Sequence, residues 1–238
     1  MSQFPYQQSK PFDLNYATDE KSVFNFFNAV YAWMCVGLAV TAAVAYIVSM
    51  NVQVVVAMNA KGITIALFLG LAVLSYGIQA AAHKIGAGAA TALFILYAAI
   101  LGAALSYIFI IYKMSTIGAA FAITGGTFGV MSVLGYVTKR DLTRLGGMLT
   151  MAAIGLFIAS LVNIFMQSSG LSWIITYAVV IVFTGLVAYH TQSLREIAVA
   201  NSGNPRALAS HAIVGSLILY VDFINIFVSI LRILGSRK

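Results

Sequence analysis

The sequence predicts an all-α, polytopic membrane protein, and three properties of the chain support this class. Of its 238 residues, 61% are hydrophobic and only 8% are charged, whereas about 25% charged residues are usual in a soluble domain. The apolar residues form seven runs, each about as long as the roughly 20 residues that a helix needs to cross a bilayer. We therefore expect a single transmembrane domain over residues 24–238, preceded by a cytoplasmic N-terminal tail over 1–23.

The first three apolar runs predict helices over 24–50, 62–82 and 87–112. The polar segments 51–61 and 83–86 separate them, and we expect both to be turns. The only cysteine, Cys35, lies in the first run. An intramolecular disulfide and a CxxC metal or redox site are therefore excluded.

The other four runs predict helices over 115–138, 146–166, 171–194 and 210–235. A charged segment at 139–144 and a Gly-Asn-Pro turn at 203–205 mark two of the breaks between them. The last run is apolar from Ala212 to Leu234 and is long enough to cross the membrane with some tilt. A re-entrant last segment is the alternative, because a full crossing leaves Arg237 and Lys238 outside.

The distribution of basic residues predicts a cytoplasmic N-terminus, because Lys and Arg are enriched in cytoplasmic segments. With the N-terminus inside, the inner segments hold eight basic residues and the outer segments hold four. The inner ones are Lys10, Lys21, Lys84, Lys139, Arg140, Arg144, Arg195 and Arg206, and the outer ones are Lys61, Lys113, Arg237 and Lys238. The net charge of +7 is thus explained by membrane topology, and we expect no nucleic-acid partner.

Small residues recur at helical spacing and predict close contacts between helices, since small side chains let helix backbones approach each other in lipid. The pairs are Ala98 with Gly102, Ala99 with Ala103, and Gly125 with Gly129.

One acid, Asp222, lies inside the last apolar run, and an ionisable group within a membrane helix is costly enough to indicate a function. His190, near the end of the sixth run, is its natural partner. Tyr220, Asn225 and Ser229 make the seventh helix polar, and most of these residues share one stripe with Asp222.

Enzyme chemistry is not expected. Intramembrane aspartyl catalysis needs two acids, and the predicted membrane core holds only Asp222. An HExxH metal motif and a Gly-x-Ser-x-Gly elbow are both absent from the sequence. The chain also gives no indication of a bound cofactor.

Three segments carry a resemblance to a known family. Residues 219–227, Leu-Tyr-Val-Asp-Phe-Ile-Asn-Ile-Phe, continue to Leu-Arg-Ile-Leu-Gly at 231–235 and resemble the C-terminal signature of the Bax-inhibitor family of membrane proteins. Residues 135–142 and 183–189 match it as well, and the resemblance to the bacterial branch runs from about Phe26 to the C-terminus.

The resemblance implies a seven-helix bundle with the C-terminal helix at its centre, in a bacterial inner membrane. It also implies a pH-sensitive cation leak, for calcium, with gating or ion-path roles for Asp222, His190, Asn225 and Tyr220. Asp222 would provide only a weak, transient calcium site, because calcium usually takes six to eight oxygen ligands. Many relatives carry an acid at the position of His190, so we expect a pH response of different form here.

Two questions stay open at the level of sequence. Asp222 is either a gating residue or a structural one that hydrogen-bonds within the bundle. The chain is either a leak channel or a non-conducting regulator that binds membrane-protein quality-control machinery, such as a membrane-anchored protease. Both functions involve the lipid bilayer, and only the second requires a protein partner.

Overall fold

The computed structural model describes the backbone of residues 14–235 and the side chains of residues 20–82 and 85–235. Within this part of the chain all regular structure is helical, which confirms the all-α class. In chain order the helices are α1 (Leu14–Ser49), α2 (Val52–Met58), α3 (Lys61–Ala104), α4 (Tyr107–Ile111), α5 (Met114–Val137), α6 (Thr143–Met166), α7 (Ser169–Ala200) and α8 (Pro205–Leu234).

Seven segments of these helices are long and apolar enough to cross a membrane, as the sequence predicts. They are Glu20–Ser49, Lys61–Ala82, Ile85–Ile111, Met114–Val137, Thr143–Met166, Ser169–Ala200 and Pro205–Leu234. The predicted boundaries differ most at the start of α1, which begins at Leu14 and not at 24, and at the turn between α7 and α8. Residues 1–13 of the predicted tail, and Arg237 and Lys238, lie outside the described residues.

The turn between α7 and α8 is shorter than predicted because specific residues end and begin the helices there. Asn204 caps α8, and its side chain accepts a hydrogen bond from the Ala207 amide at 3.1 Å. Pro205 follows at the first helical position, where its missing N–H costs nothing.

The second and third spans are separated within α3, as predicted, and the third span is itself interrupted. The backbone at Gly86 is not helical, and its φ of 80° favours a residue without a side chain, so the two spans lie on either side of this break. The third span is interrupted between Ala104 and Tyr107, where α3 ends and α4 begins. The short helix α2 lies within a segment that was predicted to be a turn.

Helix α8 has the most buried apolar segment of the seven. Fifteen of its 30 residues are buried, whereas in α6 only Gly146 is buried. Helix α8 packs against α1, α3, α5 and α7, while α6 packs chiefly on α7. Most of α8 therefore faces protein, and one side of the bundle, between α6 and the first half of α3, is loosely packed.

The small-residue pairs behave differently from one another. A Cβ atom on Gly102 would lie 2.6 Å from the Thr41 carbonyl oxygen, so α3 and α1 are in close contact, as predicted. A Cβ atom on Gly125 or Gly129 would meet no neighbouring atom within 4 Å. The predicted contact through this pair is wrong, because these glycines face away from the neighbouring helices.

Successive spans run in opposite directions and therefore define two ends of the bundle. We call the end at which α1 starts the N-terminal end and the end at which α8 finishes the C-terminal end. The C-terminal end holds Ser49, Lys61, Ile111, Met114, Met166, Ser169 and Leu234.

Candidate functional site

His190 of α7 and Asp222 of α8 form a direct pair inside the bundle. The His190 Nδ1 and Asp222 Oδ2 atoms lie 2.6 Å apart, within the range of a short hydrogen bond. The Asp222 side chain is 3% exposed and the His190 side chain is 23% exposed. The structure thus brings together the two residues that the sequence singled out as partners.

The pair is isolated from other charges. It is the only ion pair among the described residues, so no further cation or acid shares in it. The aromatic ring in contact with His190 is that of the neighbouring residue Tyr189, and the two ring centres lie 5.3 Å apart. A buried carboxylate without a partner would be strongly unfavourable, and His190 provides this partner.

Close packing of α5 against α7 holds His190 in place. A Cβ atom on Gly135 would overlap the backbone of Ala188, two residues before His190. On the α6 side, Gly146 leaves room for the ring of Tyr189 in the same way. These glycines let three helices meet at the level of the pair.

Asn225 lies one turn from Asp222 and lines two adjoining cavities. The central cavity, of about 360 Å³, lies between α3, α6, α7 and α8 and includes Ser75, Gln79 and Ser160 in its wall. The second, which we call the vestibule, has a volume of about 440 Å³ and extends to Arg232 at the C-terminal end. The Asn225 amide donates a hydrogen bond to the Val221 carbonyl at 2.8 Å. Asn225 is therefore a cavity residue and does not contact the pair.

Tyr220 lies on a different face of α8. Its side chain is fully buried, and its hydroxyl lies 2.5 Å from Thr41 Oγ1 on α1. Its ring packs edge-on against Phe94 and Tyr97 of α3, at 5.5 Å and 6.0 Å. The structure does not bring Tyr220 to His190 and Asp222, because residues two apart on a helix point in nearly opposite directions.

Sequence reasoning missed a polar cluster next to the pair. Tyr31 of α1 hydrogen-bonds Ser132 of α5, and Ser132 Oγ lies 3.1 Å from Thr191 Oγ1 of α7. These hydroxyls connect three helices directly beside His190. Thr191 is visible in the sequence as part of the polar run after His190. Its partners Ser132 and Tyr31 are more than fifty residues away, so the sequence does not indicate that the three hydroxyls meet.

Gln192 was also missed, and it ties the loop between α5 and α6 to α7. Its Oε1 atom accepts a hydrogen bond from the Leu142 amide and its Nε2 atom donates one to the Arg140 carbonyl, each at 2.8 Å. In the same loop, the hydrogen bonds from the Thr143 side chain and amide hold the pKa of the Asp141 carboxyl below its usual value. The loop next to the pair is thus fixed by specific contacts.

The chemistry of the pair is proton exchange and charge pairing. A carboxylate and an imidazole attract each other when both are charged, and the attraction ends when the carboxylate takes up a proton. Among the described residues no cluster of three or more His, Cys, Asp or Glu side chains forms a metal site. Any cation at Asp222 would need oxygen ligands from the backbone, Asn225 or water.

Comparisons with known proteins show similarity over nearly the whole chain. A family model described as "Inhibitor of apoptosis-promoting Bax1" matches residues 23–238. The inner membrane protein YbhL of Escherichia coli (strain K12) is 43% identical over 211 residues, which are 88% of this chain and 90% of that protein. An uncharacterized protein of Borreliella burgdorferi is 42% identical over 229 residues, covering 95% of this chain and 98% of that protein. An uncharacterized protein of Deinococcus radiodurans is 40% identical over 238 residues, covering 100% of this chain and 98% of that protein.

Proposed function

The chain belongs to the family of inhibitors of apoptosis-promoting Bax1, and from this premise we propose that it is a pH-sensitive cation leak, for calcium, in a bacterial inner membrane. It acts as a channel and not as an enzyme. The observation that carries the proposal is the 2.6 Å pair between His190 and Asp222. The inner-membrane location is supported by the seven apolar helices and by the similarity to YbhL.

The position of the pair supports a role in closing a path through the bundle. The central cavity and the vestibule reach from the C-terminal end to Val221 and Phe183, and on α3 as far as Gln79. His190 follows Phe183 on α7 by seven residues, about two helical turns towards the N-terminal end. With the pair formed, α7 and α8 are held together beside the inner end of the cavities.

Acidification opens this closure in the proposed mechanism. Protonation of Asp222 removes its negative charge and leaves His190 charged, so the attraction between α7 and α8 is lost. Two carboxylates at these positions would instead share one proton, because both cannot be ionised cheaply at close range. The His–Asp pair therefore responds to pH over a different range and with a different slope from a pair of acids.

The ion path consists of Asp222 and Asn225 together with backbone carbonyls and water. A calcium ion in transit binds weakly at such a site, since one carboxylate and one amide provide far fewer than the six to eight oxygens of a tight site. Weak binding suits conduction, because the ion must also leave. Tyr220 has no place on this path, since it faces α1 and α3.

The test is calcium flux into liposomes that contain the purified protein, measured between about pH 5 and pH 8, where histidine titrates. We expect the parent protein to conduct more at low pH. Asp222→Asn should remove most of the pH dependence, and His190→Asp should change the shape of the pH profile. Glu196→Gln is the matched control, because Glu196 is an exposed acid on α7, and its profile should equal that of the parent.

Two results would count against the proposal. Flux that is the same at all pH values would exclude the pair as the gate. Flux no higher than in empty liposomes at every pH would favour the non-conducting regulator, which needs a membrane-protein partner that the leak does not.

A further inference from the structure

The vestibule carries an isolated positive charge that the proposed leak does not use. It shares Tyr107, Ser172, Val228 and Arg232 with a neighbouring cavity of about 460 Å³, which we call the side cavity. Arg232 lies in the wall of both cavities, in the last turn of α8. Its guanidinium is thus the charged group that the two cavities have in common.

The contacts of Arg232 turn its head group towards α7. Its Nη1 atom donates to Ser172 Oγ at 3.1 Å and to Thr176 Oγ1 at 3.3 Å. An arginine at a helix end often interacts with the last carbonyls of its own helix, but here the contacts are to hydroxyls across the vestibule. A guanidinium has five N–H donors in a planar fork, so these two contacts leave most of them for a ligand.

The surroundings of Arg232 contain hydroxyl and amide groups but no acid. The vestibule wall includes Thr64, Asn163 and Ser229 as well as Ser172 and Thr176, and neither cavity is lined by an Asp or Glu. The described ion pair is that of His190 and Asp222, so Arg232 has no carboxylate partner among the described residues. The charge of this region is therefore positive.

The charged residues at the C-terminal end of the bundle also favour binding of an anion. At the C-terminal end the described charged residues are Lys61, Lys113 and Arg232, all of them basic. The exposed acids Glu20, Asp141 and Glu196 belong to the opposite end. An anion that approaches the C-terminal end meets only attraction from the charged side chains described there.

Arg232 is also accessible from outside the bundle. The residue is exposed, and the vestibule that it lines is bordered by Leu105 and Tyr107, where the third span changes from α3 to α4. The loose packing of α6 leaves space on the same side of the bundle. A hydrated group can therefore reach Arg232.

We propose that Arg232, with Ser172 and Thr176, binds a phosphate group in the vestibule. A planar guanidinium pairs with two oxygens of a phosphate at once, and the Ser172 hydroxyl can donate to a third. The Thr176 hydroxyl donates to the Ser172 carbonyl at 2.7 Å and accepts from Arg232, so Thr176 orients the guanidinium. The phosphate belongs either to a free ion or to the head group of a phospholipid at the membrane surface. Bound phosphate neutralises Arg232, and, where the proposed leak holds, it makes this mouth of the path more favourable for cations.

The first test measures binding of inorganic phosphate to the purified protein in micelles, from thermal unfolding at constant ionic strength with chloride as the balancing anion. A ligand of the folded state raises the unfolding temperature with concentration. We expect Arg232→Gln to weaken the phosphate affinity by roughly tenfold to a hundredfold, the effect of losing a charged hydrogen-bond donor. Arg232→Lys should keep part of the affinity, and Lys113→Gln, a control at the same end, should keep all of it.

The second test identifies the source of the phosphate. Native mass spectrometry would compare retention of dioleoylphosphatidylglycerol with that of dioleoylglycerol, which has the same chains but no phosphate. Retention that requires both the phosphate and Arg232 assigns a lipid head group, and an Arg232-dependent response to inorganic phosphate alone assigns a free ion. Equal behaviour of the parent and Arg232→Gln towards both probes overturns the proposal, whether or not the protein conducts calcium.

Discussion

At the scale of single residues, the structure explains how an acid is accommodated in the middle of an apolar helix. Asp222 is 2% exposed, and its partner His190 comes from the helix that packs beside α8. Removing one member of a buried pair leaves the other uncompensated, which typically costs about 3–5 kcal/mol. The pair can thus stabilise the bundle and respond to pH, so the structural and gating roles of Asp222 are compatible.

Tyr220 allows a test that separates structure from gating. Tyr220→Phe removes one hydrogen bond between α8 and α1, to Thr41, and should lower the free energy of unfolding by about 0.5–1.5 kcal/mol. The pH profile of calcium flux should not change, because Tyr220 does not contact the His190–Asp222 pair. Thermal unfolding in micelles measures the loss of stability, and calcium flux into liposomes measures the pH profile.

The control for this variant is Tyr177→Phe, since Tyr177 is 52% exposed and should lose less than about 0.5 kcal/mol. A shifted pH profile of calcium flux in Tyr220→Phe would indicate that Tyr220 takes part in gating, which is the role that the family resemblance implies for it.

At the scale of helices, the bundle depends on a few places where backbones touch. Gly102 brings α3 against α1, and Gly135 brings α5 against α7. In lipid the hydrophobic effect does not drive helices together, so close packing and hydrogen bonds determine which faces meet. The Tyr31, Ser132 and Thr191 hydroxyls add such hydrogen bonds beside the pair.

A pair of glycine variants on α5 tests this account. Gly135→Ala should lower the free energy of unfolding by about 1–3 kcal/mol, because the added methyl group overlaps the Ala188 backbone and α5 must move. Gly129→Ala should cause no loss, since a Cβ there meets no atom within 4 Å. Thermal unfolding of both variants in micelles is the measurement. Equal stability of the two would contradict the close approach of α5 to α7.

At the scale of the whole molecule, seven helices of membrane-spanning length and an uneven charge distribution predict the orientation. The described basic residues at the N-terminal end are Lys21, Lys139, Arg140, Arg144, Arg195 and Arg206, and those at the other end are Lys61, Lys113 and Arg232. The positive-inside rule predicts that the first group lies in the cytoplasm. It predicts that the Arg232 vestibule faces the opposite side.

Cysteine accessibility in intact cells tests the orientation. In a Cys35→Ser background, Ser115→Cys at the C-terminal end should react with a membrane-impermeant maleimide. Gly203→Cys, in the turn between α7 and α8, should react only after the membrane is permeabilised. Both positions are exposed, so reactivity reports the side of the membrane and not burial. The reverse pattern would place the N-terminus outside.

The sequence by itself determined the helices, their approximate ends and the residue at the centre of the site. A span of about 20 apolar residues must form a helix in a bilayer, because every backbone polar group has to be hydrogen-bonded within it. Asp222 stood out for a related reason, since a charge in such a span needs a partner. The place of His190 near the end of the sixth apolar run predicted it as that partner.

Only the tertiary structure decided which faces of the helices meet. Residues that face lipid and residues that face protein are both apolar, so Gly129 and Gly135 are indistinguishable in the sequence, although only Gly135 touches another helix. The same limit applies to Tyr220, which shares a polar helix with Asp222 but bonds to α1, and to Arg232, whose partners lie on α7. Long-range packing, which composition does not encode, assigns each of these residues to its place.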